Sequence, residues 1–142
     1  MEANEKEQIF SEQKQMQENR LKKILIVDDE PTTVFLLKVR LAQSDYDILV
    51  AEDGEQGFWK AKEERPDLII LDVMLPNMGG FEICSKLKKD ETLCHIPVVM
   101  LSARCGDIDQ RMGSECGSDA YFGKPCDVKN LLKVIASLLD GK

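Results

Sequence analysis

The chain has 142 residues, 43% of them hydrophobic, which is enough for the core of one ordinary domain. Its 26 acidic residues against 19 basic ones leave a formal net charge of −7, so there is no electrostatic footprint for a polyanion and no direct nucleic-acid partner is expected. No apolar run approaches the ~18 residues of a spanning helix, and the charged, Gln-rich start is unlike a signal peptide; the expectation is a soluble, cytoplasmic protein with no membrane insertion.

Residues 1–20, MEANEKEQIFSEQKQMQENR, hold five Glu against three basic residues, with few large apolar groups. They read as an N-terminal arm, helical or disordered, ahead of a domain over 21–142. From Leu21 the pattern alternates. Short apolar runs at Ile24–Val27, Ile48–Val50, Leu68–Leu71, Val98–Leu101 and Ala120–Phe122 are too short and too continuous for amphipathic helices, and read as buried strands. Between them lie helix-period stripes: Val34, Leu37 and Leu41; Phe58 and Ala61; Phe81, Cys84 and Leu87; Ile108 and Met112 with Cys116. The last stripe is the clearest, with Val128, Leu131, Leu132, Ile135, Leu138 and Leu139. Pro31 suits a helix start and Gly117 a helix stop. Five strands alternating with five helices imply an α/β fold with a five-stranded parallel sheet covered by helices on both faces, because each parallel crossover needs a helix.

The five cysteines, Cys84, Cys94, Cys105, Cys116 and Cys126, are odd in number and contain no CxxC, and there is a single histidine. That pattern carries no zinc signature and favours free thiols in a reducing compartment. Cys105 and Cys126, placed in loops, are the two whose reactivity is worth asking about.

Polar groups fall where the strands end. Asp28 and Asp29 follow the first strand, Asp72 the third, Ser102 the fourth, and Gly123-Lys124-Pro125 the fifth. In an open doubly wound sheet these carboxyl ends form the crevice where ligands bind. Three acids so close repel one another unless positive charge is supplied. Mg²⁺ meets that need, since it takes oxygen ligands and commonly binds through one or two carboxylates plus phosphate oxygens. Lys124 adds a point charge able to pair with Asp72 and then with a phosphate, and Ser102 can donate to the same group. The set suits holding a phosphoryl group on or beside Asp72, a transfer that needs mainly alignment and charge neutralisation.

Each residue alone has a plainer explanation. Asp28 or Asp29 could merely cap the helix opening near Pro31, Ser102 could cap a helix, and Lys124 could be a surface lysine. Their joint placement after four different strands favours a site. Rival functions fit less well: an aspartate-nucleophile phosphatase resembles a DxD pattern after strand one, whereas here the acids are adjacent. A flavin or nucleotide binder wants a Gly-rich cradle where DDEP stands. The third rival, a degenerate and constitutive binding module, is at odds with the complete set of acids, hydroxyl and lysine.

The motifs KILIVDDEP, PDLIILDVMLPNMGGFE, IPVVMLSARCGD and GSDAYFGKP, in that order over Leu21 to about Leu139, resemble the receiver domain of two-component response regulators, most closely a stand-alone, chemotaxis-regulator-like receiver. The resemblance implies a flavodoxin-like, three-layer fold with strand order 2-1-3-4-5. It implies that Asp72 is the phospho-acceptor, with Lys124 and Ser102 assisting. Mg²⁺ would be held by Asp29 directly, by Asp28 largely through water, by Asp72, and by the backbone carbonyl of Met74. Ser102 and Tyr121 would act as the switch, and the Lys124-Pro125 bond would be cis. The implied partners are a sensor histidine kinase or histidine phosphotransfer protein upstream and a protein effector downstream, with no attached output domain. The only covalent chemistry implied is phosphorylation and dephosphorylation of Asp72 itself, not enzymatic turnover. A homodimer through the face of the fourth helix, fifth strand and fifth helix is compatible with that fold, although no specific residue pattern calls for it. Cys126 departs from the aromatic often found after the Lys-Pro pair.

Overall fold

Each strand is a run of large apolar residues too short to bury a helix stripe, and a helix-period segment follows every one. β1 (Lys23–Val27), β2 (Asp47–Ala51), β3 (Leu68–Leu71), β4 (Val98–Ser102) and β5 (Ala120–Gly123) alternate with α1 (Pro31–Gln43), α2 (Gly54–Glu64), α3 (Gly80–Lys89), α4 (Asp107–Glu115) and α5 (Val128–Asp140). The computed structural model describes residues 20–140, so the arm expected over 1–20 lies outside the described residues apart from Arg20. Every strand pairing is parallel, and the spatial order is β2-β1-β3-β4-β5, as the motifs implied.

Alternation along the central strands sorts the core into two halves. Leu25, Val27, Ile69, Leu71, Val98 and Met100 point to one face, where Ala61 of α2 and Ile83, Cys84 and Leu87 of α3 cover them. Ile24, Ile26, Leu68, Ile70, Val99 and Leu101 point to the other, under Leu37 and Leu41 of α1 and Leu131, Ile135 and Leu139 of α5. A strand buried on both faces has no polar side, which is why β1, β3 and β4 read as continuous apolar runs. Pro31 opens α1 at its first turn. Asp53 caps α2 by accepting the Gln56 N–H at 2.8 Å.

Two parts of the pattern depart from expectation. In β2 only Ala51 is buried, and no residue of β5 is, because both are edge strands with a single neighbour and partial cover. Of the stripe expected on α4, Ile108 and Met112 do not enter the core, being 73% and 39% exposed, while Cys116, just past the helix, packs against that core. The one buried residue of that helix is Gly113, so α4 meets the sheet through its smallest side and turns its apolar residues outward. All five cysteines are free thiols, with Cys84 buried, Cys94 and Cys105 exposed, and the other two half-buried. No helix among the described residues is long and apolar enough to cross a membrane.

The contrast between the two helix stripes is measurable. Ile135→Ala is expected to lower the unfolding free energy by ~2–4 kcal/mol, as for a fully buried large-to-small change. Ile108→Ala should move it by less than ~0.5 kcal/mol, the range of exposed substitutions. Urea unfolding followed by circular dichroism reads both, and equal losses would mean that α4 packs inward after all.

Candidate functional site

The sheet ladder runs past its strands into the residues that carry the polar groups. The Asp28 N–H donates to the Ala51 carbonyl at 3.1 Å, the Asp72 N–H to Val27 at 3.0 Å, and the Lys124 N–H to Ser102 at 2.9 Å. The backbone of each residue is therefore fixed by the neighbouring strand. Beyond Asp72 the chain folds back closely: a Cβ at Gly80 would lie 2.2 Å from the Asp72 carbonyl oxygen and 2.6 Å from the Val73 Cα. Only glycine lets α3 begin so near the acid.

The side chains converge as their positions after the strands require. Lys124 Nζ lies 2.8 Å from Asp28 Oδ2 and 3.2 Å from Asp72 Oδ2. The lysine, expected to pair with Asp72, thus pairs with both acids and stands closer to Asp28. The remaining oxygens are also engaged, Asp28 Oδ1 by the Glu30 N–H at 2.9 Å and Asp72 Oδ1 by the Met74 N–H at 3.1 Å. Asp28 and Asp72 are 3% and 6% exposed, whereas Asp29 is exposed. One carboxylate oxygen from each of these three acids lies within 4.8 Å of the others. The N-cap of α1 is Glu30, with no side-chain cap bond, so neither Asp28 nor Asp29 is occupied in capping that helix.

Burial, aided by the charge of Asp72, raises the Asp28 pKa above its ordinary 3.8, although Lys124 and the Glu30 N–H pull the other way. For Lys124 burial favours the neutral amine, but the hydrogen bond and charge of Asp28, with those of Asp72, outweigh it and raise the pKa above 10.5. One ammonium pairs with two of the three carboxylates and leaves the cluster under-neutralised. The donors are all hard oxygens with no sulfur or imidazole among them, a set that fits a small divalent cation such as Mg²⁺.

Ser102 closes the rim. The β3–β4 register, Leu71 opposite Met100, carries Ser102 to the acid end of the sheet. It is wholly buried, and its Oγ accepts the Arg104 N–H at 3.2 Å. Tyr121 donates its hydroxyl to the Arg104 carbonyl, which ties β5 to the loop leading into α4. Met74 contacts Asp72 through its N–H, and its side chain is 56% exposed. His95 lies in the turn before β4, at the opposite end of that strand. Beside Lys124 a cleft of about 380 Å³ opens between α1 and the β5–α5 connection, lined by Leu36, Leu101, Pro125 and Cys126 among others. The loop and the first turn of α4 also hold a pair to which no role was assigned from sequence: Arg104 Nη2 stands 2.9 Å from Asp109 Oδ1, and Asp109 Oδ2 accepts the Gly106 N–H at 3.2 Å. An acid three residues after the cap position, one half of a capping box, is the signal that could have found Asp109.

The raised Asp28 pKa has a sign that can be tested. Its folded carboxyl holds a proton more tightly than the unfolded chain does at 3.8, so its contribution to stability declines as pH rises from about there to the folded value, and stays lost above it. At neutral pH and without divalent cation, Asp28→Asn is expected to raise the thermal midpoint, and below the unfolded value the gain should vanish. Melting curves at both pH values read this, and a midpoint lowered at neutral pH would contradict it.

Comparison with known proteins agrees with the geometry. The profile of the family described as Response regulator receiver domain matches residues 24–136. The chain is 42% identical over 118 residues to the alkaline phosphatase synthesis transcriptional regulatory protein PhoP of Bacillus subtilis, covering 83% of this chain but 48% of that protein. It therefore spans about half the length of that relative. It is 35% identical over 119 residues to protein PilH of Pseudomonas aeruginosa, covering 84% of this chain and 98% of PilH. Among solved structures, the receiver domain of a Pseudomonas aeruginosa sensor histidine kinase, which holds a magnesium ion in its active site cleft, shares the fold with a TM-score of 0.79 at 23% identity, covering 85% of this chain and 99% of that one. With one parallel sheet in this order, acids gathered at its edge, and the family profile matched across nearly all of the sheet and its helices, the chain belongs to the response regulator receiver domain family.

Proposed function

We propose that this chain takes a phosphoryl group onto Asp72 from a sensor histidine kinase or a histidine phosphotransfer protein, and passes its state to a downstream protein effector. The observation that carries this reading is the cluster itself: three acids with carboxylate oxygens within 4.8 Å of one another, two of them paired with the Lys124 ammonium, at the carboxyl ends of a parallel sheet. Receiver domains accept phosphoryl groups in this way and are signalling modules rather than enzymes in the usual sense. Loss of the phosphoryl group to water at Asp72 is part of the same proposal, as are a cytoplasmic location and a receiver unit running from residue 21 to the end of the sequence.

In this reading an Asp72 oxygen attacks phosphorus, an O–P bond forms, and the bond from phosphorus to the donor imidazole nitrogen breaks. Asp72 is already oriented, one oxygen by the Met74 N–H and the other by Lys124. Asp28, Asp29, Asp72 and the Met74 carbonyl would hold Mg²⁺, which when bound supplies positive charge to the transferring oxygens. Lys124 then exchanges its Asp72 contact for the phosphate, and Ser102 turns its hydroxyl to the same group. Because Tyr121 and Ser102 both bond the backbone of Arg104, movement at Ser102 reaches α4, where Ile108 and Met112 stand exposed. That face, formed by α4, β5 and α5, is the proposed contact for the effector, and the surface on which a homodimer would form.

Incubation with Mg²⁺ and acetyl phosphate should add one phosphoryl group to the intact mass of the parent chain, and none to Asp72→Asn or to the parent with a chelator. Lys124→Ala should slow the gain about tenfold or more, as for loss of a charge placed at a developing anion. Phosphorylation that persists in Asp72→Asn, or steady turnover of a phosphate ester, would replace this reading with another acceptor or with a phosphatase.

A further inference from the structure

The loop from Ala103 to Gly106 leaves the buried Ser102 and enters α4, and it is held from several sides. The Ser102 Oγ accepts the Arg104 N–H, and the Tyr121 hydroxyl bonds the Arg104 carbonyl. The Tyr121 ring lies against α4 where a Cβ at Gly113 would come within 2.7 Å of its Cδ2, so glycine there allows the contact. Those fixtures fix the backbone of Arg104 two residues past Ser102, at the end of the sheet where the acids stand, but leave open which way its side chain turns. A second fixture decides that. The guanidinium, on a side chain 52% exposed, reaches the Asp109 carboxylate on the first turn of α4. The contact is one of charge more than of direction, for Asp109 Oδ1 is buried yet accepts no aligned hydrogen bond among the described residues. Its other oxygen serves the Gly106 N–H at the helix start.

We propose that Asp109 is a positioning residue: its carboxylate keeps the Arg104 guanidinium turned away from the acid cluster, and so limits how fast Asp72 takes a phosphoryl group from an anionic donor. The proposal rests on the reading of Asp72 as acceptor. The reaction it modulates is self-contained, since an Asp72 oxygen gains the bond to phosphorus while the donor's own bond to phosphorus breaks and acetate leaves with the electron pair. Arg104 takes no part in the bonds. Released from Asp109, it adds a cation at the end of the sheet where three carboxylates are met by one ammonium, and an anionic donor meets less repulsion there.

The test is the initial rate of phosphorylation by acetyl phosphate with Mg²⁺, read by intact mass in the full chain. Asp109→Asn keeps an oxygen for the Gly106 N–H and removes only the charge, so the fold is retained and the rate should rise about two- to fivefold, the size one ion pair with an exposed partner commands. Asp109→Glu should restore the parent rate, and the gain should shrink at high ionic strength. On an Arg104→Ala background Asp109→Asn should bring no gain, whereas a role in helix capping alone would leave its effect the same with or without Arg104. Equal effects on both backgrounds, or no gain in Asp109→Asn, overturn the proposal. A parent chain that acquires no phosphoryl group overturns the underlying reading of Asp72 and the proposal with it, which separates the two failures.

Discussion

One ammonium group paired with two buried carboxylates, with a third acid beside them, is the constraint from which the rest of the site follows. Burial makes each charge expensive, and the sheet brings the charges together regardless, because Asp28, Asp72 and Lys124 each follow directly on a strand of the same parallel layer. Lys124 offsets part of the repulsion through two contacts, at 2.8 and 3.2 Å. What it does not offset is a surplus of negative charge at the sheet edge. A core built for stability alone would place apolar residues or a single pair there. The under-neutralised cluster is a cost to the fold, and it is the cost that the proposed phosphoryl transfer would put to use.

The structure also shows how little material separates that chemistry from the surface. Ser102 and Tyr121 bond the same peptide neighbourhood from opposite sides, at the N–H and the carbonyl of Arg104. The Tyr121 ring in turn rests on Gly113, the buried point of α4. Four residues thus join the acid rim to a helix that lends no large side chain to the core. A helix attached so lightly has fewer buried contacts to hold it than α1 and α5, which are anchored by Leu41 and Ile135.

Much of this was legible in the amino-acid sequence because strand, helix and site obey different periods. The runs around Ile24, Leu68 and Val98 are apolar on both faces, and Asp28, Asp72 and Ser102 stand where those runs stop, so the sheet edge could be read before any coordinates. Less legible were features that depend on which neighbour a strand has. The openness of β2 and β5 follows from their edge positions, and their own residues differ little from those of the centre. The outward turn of Ile108 and Met112 could not be read either, since a helical stripe predicts a shared face but not the partner it meets; Gly113, lacking a side chain, gives no hydropathy signal though it is the true contact. The closer pairing of Lys124 with Asp28 depends on side-chain reach from the end of β5 past β4 and β3 to the end of β1, which spacing along the chain does not encode. Arg104 and Asp109 read as ordinary loop and helix charges until the loop is folded.

The backbone bonds that tie Asp28 to Ala51, Asp72 to Val27 and Lys124 to Ser102 make the reactive end of the molecule a continuation of its most rigid layer. Isotope exchange at those amides would require the sheet itself to part. The stretch beginning at Ala103, by contrast, is held mainly by side-chain fixtures. The two kinds of attachment meet at one peptide bond, between Ser102 and its successor.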